Sequence, residues 1–455
     1  MRSLAGALVG VFAALALSAQ EAPARLVQEI QARAGLRANL EALCDGIGPR
    51  LTGSRGLEAA QAWAMETLRR GGAENVHLET YDLGRPWHRG TARARLLNAN
   101  GAALSIAQWG WTEGTKGVVR GEVVLLDTPT LADFEAVAPR LAGKVVLVKA
   151  RPRATEAERK DMKAYWARLT KAWRAAPFAL VLLPSEKAAG LLDMAGGPDF
   201  LYRARTAFIA AEHAALLRRL LAKGVVPRVE AELGGGFGPK AVKAANVVAE
   251  LTGSEHPEEV VILGAHLDAW DLGSGATDNG AGVVAFLEVM RALKAAGLKP
   301  RRTLRLVLFS GEEQGCLGSK AYLAAHRDER ERIQAVLVLD AGSGRITAMA
   351  DGKVDAWAEA MEAALAPAEA LGAPTVAYAR PGGSDQETFR KAGIPAFSPQ
   401  QEPLDYWTHT QHTPLDSVDH VVEADLLQAT QVMALAAWGL LNGPRLPHVA
   451  PDPVP

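Results

Sequence analysis

The sequence predicts an α/β protein whose main domain has a mainly parallel β-sheet and carries an inserted β-rich unit. From residue 246 onward, short apolar runs typical of buried strands alternate with segments of helical periodicity. Residues 85–233 have a different pattern from this region, because short runs typical of strands are separated there by Gly and Pro. The composition is that of an ordinary globular chain, since 49% of its 455 residues are hydrophobic and 22% are charged.

Composition and charge narrow the classes of function. Lys and Arg number 50 and Asp and Glu number 51, which gives a formal net charge of −1. We therefore expect no nucleic-acid partner, because nucleic acids and anionic membranes attract a basic surface. Two cysteines exclude a disulfide scaffold and a cysteine-rich zinc module, so a metal site would have to use His, Asp and Glu. We expect Cys44 and Cys316 to be separate buried thiols.

The first 19 residues have the features of a signal peptide. Arg2 gives a positive start, and an apolar run follows from Leu4 to Leu17. The small residue Ala19 then ends the segment before polar Gln20. The alternatives are an uncleaved anchor and a buried helix. We expect an exported protein, periplasmic or extracellular, with no stable membrane span after signal cleavage.

Residues 20–84 are predicted as the first part of the main domain. Apolar side chains recur at helical spacing from Leu57 to Leu68. Ser54 is a suitable N-cap for this helix, and Gly71 is a suitable end. Alternation of apolar and polar residues from Val76 to Tyr81 then predicts a strand.

Residues 85–240 are predicted as the inserted unit. A charged amphipathic stretch at 155–173 separates two of its strands. The glycine-rich segment 234–239 lacks the Gly-Lys-Ser/Thr ending of a phosphate-binding loop, so we interpret it as a linker. The strands are predicted at 118–119, 122–126, 144–149, 180–183 and 225–233.

Residues 241–445 are predicted as the larger part of the main domain, and residues 446–455 as a Pro-rich tail. Because alternating strands and helices build a buried parallel sheet, this region carries the main fold. The strands are predicted at 246–251, 260–263, 304–309 and 335–339. The helices are predicted at 281–295, 319–326, 356–365, 384–391 and 426–441.

Acidic and histidine residues directly follow three of these strands. This position matters because ligands bind outside the carboxyl ends of the strands in open α/β sheets. The candidates are His266 and Asp268 after the strand at 260–263, Glu312 and Glu313 after the strand at 304–309, Asp340 after the strand at 335–339, Asp278 in a glycine-rich loop, and His409 and His412 in a late loop.

Together these residues predict a metal centre. Carboxylates that converge in one cleft repel one another unless cations neutralise them. Histidines joined to carboxylates suit zinc, with manganese or cobalt as substitutes. A pair of metals about 3.5–4 Å apart needs a bridging carboxylate, for which Asp278 is the central candidate. Of Glu312 and Glu313, one can bind metal while the other faces the substrate and moves protons.

Three motifs resemble the M28 family of di-zinc exopeptidases. They are His266-Leu267-Asp268, Asp278-Asn279-Gly280-Ala281-Gly282 and Ser310-Gly311-Glu312-Glu313-Gln314-Gly315. The segment 44–54, which reads CDGIGPRLTGS, is similar to the carboxypeptidase Q (plasma glutamate carboxypeptidase) group of that family. The resemblance implies a zinc-peptidase domain of the phosphorylase/hydrolase-like fold with an inserted protease-associated domain.

The resemblance also implies a role for each candidate. Glu312 is the general base toward a metal-bridged water and later the general acid, while Asp268 orients His266. In this family the bond after the bridging Asp278 tends to be cis, and Asn279 follows it here in place of a frequent Asp. The implied metal ligands are His266 and Asp340 for one zinc ion, Glu313 and His412 for a second, and Asp278 as the bridge.

The late loop carries two histidines, of which the resemblance favours His412. Thr413 and Asp416 follow it and complete the His-Thr-x-x-Asp pattern of the family. Gln411 stands where the family often has a further His. His409 is therefore a secondary candidate.

Three residues are candidates for substrate contact. Tyr406 is a candidate to hold the tetrahedral oxyanion, and the alternative is a packed aromatic beside Trp407. Ser384 and Asp385 lie in a segment that resembles a family loop near the substrate terminus. The alternative for that segment is a helix start capped by Ser384.

The resemblance implies a zinc-dependent exopeptidase, with two zinc ions per chain, that hydrolyses peptide bonds near the free termini of dipeptides or short peptides. An aminopeptidase that acts on longer peptides is the alternative among enzymes. A receptor-like binding protein of the same architecture is the alternative of another class, although such relatives have lost metal ligands that this chain retains. The resemblance also implies a homodimer.

Overall fold

The computed structural model describes residues 21–150, 152–198, 204–372, 375–379 and 382–452. The predicted signal peptide, residues 1–19, lies outside the described residues. The described chain forms two eight-stranded sheets, each packed with helices, and a small two-stranded sheet. We call the part built on the second sheet, residues 92–233, the second unit, and the rest of the described chain the first unit.

Helices and strands are numbered in chain order. The α-helices are α1 (21–33), α2 (Leu36–Glu41), α3 (Arg55–Arg70), α4 (Leu131–Val137), α5 (Met162–Ala175), α6 (Ala211–Ala222), α7 (Ala281–Ala295), α8 (Leu317–Ala325), α9 (Asp355–Leu365), α10 (Gln386–Lys391) and α11 (Glu423–Asn442). Short 3₁₀ or π turns lie at Ala42–Ile47, Ala138–Leu141, Glu158–Asp161, Ala276–Gly280, Arg327–Arg332, Ala366–Leu371, Tyr406–Thr410 and Val418–His420.

The strands are β1 (Glu74–Gly84), β2 (Trp87–His88), β3 (Ala92–Leu96), β4 (Ala103–Leu104), β5 (Ile106–Gln108), β6 (Val119–Asp127), β7 (Val145–Ala150), β8 (Leu180–Pro184), β9 (Thr206–Ile209), β10 (Arg228–Leu233), β11 (Gly236–Phe237), β12 (Val242–Leu251), β13 (His256–His266), β14 (Arg302–Phe309), β15 (Ile333–Val338), β16 (Ile346–Ala350), β17 (Thr375–Ala377) and β18 (Ala396–Gln401).

The first sheet is mixed, with the strand order β1-β12-β14-β13-β15-β18-β16-β17. Its centre is parallel from β14 through β13 and β15 to β18, and β16 also runs parallel to β17. The pairs β1–β12, β12–β14 and β16–β18 are antiparallel. Four of the seven strand pairs in this sheet are parallel, so the expected parallel centre is present, but the sheet as a whole is mixed. The antiparallel pairs flank the parallel centre, and such pairs need no crossover helix.

Helices α3, α7 and α11 pack against the first sheet. The hydroxyl of Ser54, the predicted cap of α3, accepts a hydrogen bond from the N–H of Leu57 at 3.2 Å. α7 has the predicted bounds and is buried on nearly all sides, as expected for a helix that is apolar all round. Among the described residues, α11 alone is long and apolar enough to cross a membrane, but 72% of its most apolar stretch is buried inside the protein, as in a core helix.

The second unit combines parallel strands with helices. Its sheet has the order β4-β3-β10-β6-β7-β8-β9-β5, in which β6, β7, β8 and β9 are parallel. α4 and α5 connect β6 to β7 and β7 to β8, because parallel neighbours require a crossover. α5 lies in the predicted amphipathic stretch, whereas α4 and α6 were not predicted. The expectation of a β-rich unit is therefore incomplete, because this unit is itself α/β.

The chain enters and leaves the second unit side by side. β2 precedes the unit and β11 follows it, and the two pair in antiparallel fashion. The predicted glycine linker is thus partly a paired strand. This pairing holds together the two chain segments that connect the units.

Candidate active site

The carboxyl ends of three neighbouring strands meet at one edge of the first sheet. β13 ends at His266, Glu312 and Glu313 follow β14, and Asp340 follows β15. β13 lies between β14 and β15 and runs parallel to both. Because parallel neighbours end at the same edge, the structure brings these sequence-predicted candidates together.

Asp278 lies between two histidines. Its Oδ1 is 3.1 Å from Nε2 of His266, and its Oδ2 is 3.3 Å from Nε2 of His412. Nε2 of His266 is also 3.4 Å from Oδ1 of Asp340, and Nε2 of His412 is 2.9 Å from Oε2 of Glu313. One carboxylate is therefore shared by two sets of donor atoms. Donor atoms lie within 4.8 Å of one another in two groups, His266 with Glu312 and Asp340, and His266 with Asp278 and Glu313.

The second histidine of the late loop, His409, does not join this cluster. Its Nδ1 lies 2.9 Å from the hydroxyl of Thr408. Nε2 of His412, in contrast, lies 2.9 Å from Oε2 of Glu313 and 3.3 Å from Oδ2 of Asp278. The geometry therefore favours His412 over His409 as the histidine of this loop that completes the site.

Hydrogen bonds hold the Asp278 loop from two sides. The Asp416 carboxylate accepts hydrogen bonds from the N–H of Thr277 at 2.6 Å, from its hydroxyl at 2.8 Å and from the N–H of Asp278 at 3.1 Å. The side-chain amide of Asn279 donates to the carbonyl oxygen of Leu339 at 2.7 Å, just after β15. The peptide bond from Asp278 to Asn279 is cis, as the resemblance implies. Asp416 thus supports the carboxylate that lies between the histidines.

Arg50 supports the same loop from the N-terminal segment, a role that the sequence analysis missed. Its buried guanidinium donates hydrogen bonds to the carbonyl oxygens of Leu267 at 2.8 Å, Ser274 at 2.6 Å and Gly275 at 2.9 Å. Gly275 has a φ of +65°, and a Cβ at that residue would lie 2.8 Å from Nη2 of Arg50. A charged residue within the motif at 44–54 is the signal that could have indicated this role.

The two cysteines are separate, as expected. Cys44 is buried, with its Sγ 3.9 Å from Nη1 of Arg50. Cys316 is only partly buried, and its Sγ lies 3.6 Å from Oε1 of Glu312. Both are free thiols within the ranges that the structure describes.

Asp268 contacts His266 differently from the expectation. Nδ1 of His266 lies 2.9 Å from the carbonyl oxygen of Asp268 and 3.8 Å from its Oδ1, so the backbone is the closer partner. The carboxylate accepts hydrogen bonds from the Thr52 hydroxyl at 2.9 Å and from the N–H of Glu312 at 3.3 Å. Asp268 therefore links the histidine to the backbone of Glu312, and Thr52 is a further residue of the site that was not predicted.

Burial and mutual repulsion shift the pKa values of the site. Burial raises the pKa of Glu313 to about 7, although the neighbouring His412 opposes the shift. Burial also raises the pKa of Glu312; His266 opposes this, and the Asp340 carboxylate adds to it. Burial alone would lower the pKa of His412, but the carboxylates of Glu313 and Asp278 together outweigh it and the pKa rises to about 9. The common cause is an excess of negative charge in a poorly solvated place.

A cavity of about 460 Å³ opens beside the cluster and is lined in part by Asp278, Glu312 and His412. Ser384 and Gln386 also line it. The Ser384 hydroxyl and Oε1 of Gln386 are buried and have no hydrogen-bond partner among the described residues. The N-cap position of α10 is Asp385, and no side chain caps this helix, so the interpretation of Ser384 as a cap is wrong.

Tyr406 and Asp385 are the other candidates for substrate contact, and both are buried here. The Tyr406 ring packs against Trp407 with 4.8 Å between centroids, and it lines the cavity. Against the effect of burial, hydrogen bonds from His266 and Tyr406 bring the pKa of Asp278 below its usual value. Tyr406 is therefore both a packed aromatic and a polar neighbour of Asp278. Burial raises the pKa of Asp385 to about 7.

The donor set fits divalent metal ions. Two imidazole nitrogens and several carboxylate oxygens converge, a mixture that suits zinc. Oε1 of Glu313 is buried without a hydrogen-bond partner in the described chain, which is unusual for a polar atom. A bound cation would give this oxygen a partner and offset the repulsion among the carboxylates. The fold and this centre together define an α/β metallohydrolase.

Comparisons with known proteins agree with this class. Residues 246–437 match the model of Peptidase family M28. Carboxypeptidase Q of Rattus norvegicus is 30% identical over 404 residues, which cover 87% of this chain and 83% of that protein. The crystal structure of a peptidase M28 precursor from Shewanella amazonensis SB2B has a TM-score of 0.81 at 27% identity and covers 96% of this chain and 99% of that chain. BSAP, a zinc aminopeptidase from Bacillus subtilis, shares the fold, with a TM-score of 0.66 at 19% identity over 90% of this chain and 94% of that chain.

The chain belongs to peptidase family M28 and is a metallo-exopeptidase. Three motifs that carry the family resemblance include His266, Asp278 and Glu313, which the structure brings together at one sheet edge.

Substitution of Thr52 by Val tests the support of Asp268. Val has nearly the same shape but no hydroxyl, so the buried carboxylate loses a donor. We expect the free energy of unfolding in urea to fall by about 1–3 kcal/mol. Thr80→Val, which removes an exposed hydroxyl in β1, is the control and should change it by less than about 0.5 kcal/mol. Equal urea midpoints and slopes for Thr52→Val and the unchanged protein would contradict this role of Thr52.

Proposed function

We propose that this metallo-exopeptidase is zinc-dependent and hydrolyses peptide bonds near the free termini of dipeptides or short peptides. The observation that carries the proposal is the position of Asp278, whose two carboxylate oxygens lie near different histidines. A carboxylate between two donor sets is the arrangement that a pair of metal ions requires.

Two zinc ions per chain fit the donors, with manganese or cobalt as substitutes. His266 and Asp340 would hold one ion, Glu313 and His412 the other, and Asp278 would touch both. The zinc aminopeptidase BSAP, which shares the fold, supports zinc. When bound, such a pair polarises the peptide carbonyl and makes water more acidic.

Glu312 is the proposed general base and acid. It lines the cavity, whereas the adjacent Glu313 contacts His412. A carboxylate at this place can accept a proton from the attacking water and later donate it to the departing nitrogen. Asp268 holds the backbone N–H of Glu312 and so keeps the base in position.

Polar groups around the cavity are the proposed contacts to the substrate. The Tyr406 hydroxyl would donate a hydrogen bond to the oxyanion of the tetrahedral intermediate. The unpartnered hydroxyl of Ser384 would contact a substrate terminus. Buried Asp385, next to it in the chain, would fix that segment or attract a substrate amino group.

We also propose the domain plan of the whole chain. Residues 85–240 would be a protease-associated domain inserted between residues 20–84 and 241–445, followed by the tail at 446–455. The separate second sheet supports this plan. Residues 1–19 would be a signal peptide that exports the protein to the periplasm or the medium, and the mature protein would form a homodimer.

Glu312→Gln separates the proton-transfer role from metal binding. Gln keeps the size of the side chain but cannot act as a base, so we expect kcat for dipeptide hydrolysis to fall by about 10²–10⁴-fold. The zinc content should stay at two ions per chain, as measured by elemental analysis. Glu258→Gln is the matched control, because Glu258 is exposed near the start of β13, far along the strand from His266. A Glu312→Gln protein that binds zinc and retains the original kcat would refute the mechanism.

An aminopeptidase acting on longer peptides is the second candidate function. A further cavity of about 390 Å³ lies next to the first, and both are lined by Trp407, Gln411 and His412. This continuation offers room for substrate residues beyond a dipeptide.

A panel of substrates decides between the two candidates. Dipeptides with free termini should have the highest kcat/KM. For N-acetylated dipeptides, kcat/KM should be lower by roughly 10-fold or more, because acetylation removes the charged amino group that buried Asp385 would attract. Amino-acid anilides and tetrapeptides complete the panel. Higher kcat/KM for anilides and tetrapeptides than for dipeptides would favour the aminopeptidase instead.

A further inference from the structure

A segment of the second unit, residues 187–194, is hydrogen-bonded to the loop that carries His412. The N–H of Met194 donates to the carbonyl oxygen of His412 itself at 2.8 Å, and the N–H of Ala188 donates to the carbonyl oxygen of Thr408 at 3.0 Å. The second unit therefore contacts the backbone of a residue at the centre of the site. We call residues 406–412 the His412 loop.

Lys187 adds a charged contact at the same place. Its ammonium group donates to the carbonyl oxygen of Trp407 at 3.0 Å and to Oε1 of Gln411 at 3.0 Å. Both acceptors belong to the His412 loop. Gln411 directly precedes His412, so Lys187 binds the loop at the residue next to the histidine.

The charge of Lys187 is nearly buried, which makes its contacts important. Its side chain is only 9% exposed, and a buried ammonium is costly unless oxygen atoms surround it. Oδ1 of Asp193 lies 3.8 Å from Nζ and supplies the opposite charge. Asp193 is itself held by the hydroxyl of Ser185 at 3.0 Å and the N–H of Glu186 at 2.9 Å. Ser185 and Glu186 of the second unit thus hold the carboxylate that pairs with this cation.

The His412 loop needs such support. His412 has a φ of +56°, a left-handed conformation that costs a residue with a Cβ about 1–2 kcal/mol. The turn that precedes it, Tyr406–Thr410, is a short π turn with no side-chain cap. On its other side, the ring of Trp270 contacts the imidazole edge-on at 6.3 Å between centroids. The conformation of His412 is therefore imposed by its neighbours.

We propose that Lys187 is a positioning residue through which the second unit sets the place of His412 in the metal centre. This inference rests on the proposed function, in which His412 holds one of two zinc ions. The ammonium fixes Gln411 and the carbonyl of Trp407, and this orients the backbone from which the imidazole projects. Zinc held by Glu313 and His412 should then depend on Lys187, whereas zinc held by His266 and Asp340 should not.

Zinc titration of Lys187→Met against a fluorescent chelator tests this proposal. Met has a similar length but no charge. We expect one of the two zinc ions to bind about 10–100-fold more weakly, the range seen when a residue that orients a ligand is lost, and the other to keep its affinity. Lys149→Met is the matched control, because Lys149 is an exposed lysine of the same unit paired with Asp127 at 2.6 Å. Its two zinc affinities should equal those of the unchanged protein.

Gln411→Leu provides a second route if Lys187→Met does not fold. It removes one acceptor and leaves the cation in place, so the same zinc ion should bind more weakly by a smaller factor. Two unchanged zinc affinities in a folded Lys187→Met or Gln411→Leu protein would overturn the inference.

His412→Ala distinguishes that failure from failure of the proposed function. If His412→Ala weakens one zinc ion and the Lys187 variant does not, only the positioning role is wrong. If His412→Ala leaves both zinc affinities unchanged, the metal centre itself is wrong and the inference falls with it.

Discussion

The repulsion among buried carboxylates at the carboxyl edge of the first sheet is the constraint on which the site depends. Asp278, Glu312, Glu313 and Asp340 converge there, and burial strengthens their effect on one another. The two histidines offset only part of this charge. The unpartnered oxygen of Glu313 fits the same explanation, because a metal ion would be its missing partner. In the proposed centre, metal binding would make this concentration of acid tolerable in the folded chain.

The surroundings of the cluster keep its geometry in place. Arg50 ties the glycine loop to the N-terminal segment, and Asp416 ties it to the segment that follows the His412 loop. Asp268 links the backbone of Glu312 to His266. Lys187 of the second unit donates a hydrogen bond to Gln411, next to His412. Because so many separate segments hold the site, its donors are kept in one arrangement, which favours tight and specific coordination.

Much of the centre follows from local sequence, because a strand that ends in an acidic or histidine residue can be recognised without the fold. His266, Glu313 and Asp340 are of this kind, and the parallel order of β14, β13 and β15 brings them together. The helix α7 was equally clear, since its apolar period is local.

The remaining features depend on contacts between distant segments, which no local period encodes. β1 pairs with β12 across the whole insertion, so the antiparallel side of the first sheet was not expected. Lys187 and Gln411 are 224 residues apart. The closer contact of His266 with the carbonyl of Asp268 than with its carboxylate depends on the exact path of the backbone after β13. Such details need the folded structure.

Anomalous diffraction at the zinc edge, from crystals of the zinc-loaded protein, tests the metal centre most directly. We expect two peaks about 3.5–4 Å apart, one beside His266 and Asp340 and the other beside Glu313 and His412, with Asp278 in contact with both. A single peak, or a pair of peaks that Asp278 does not join, would contradict a centre built on one shared carboxylate.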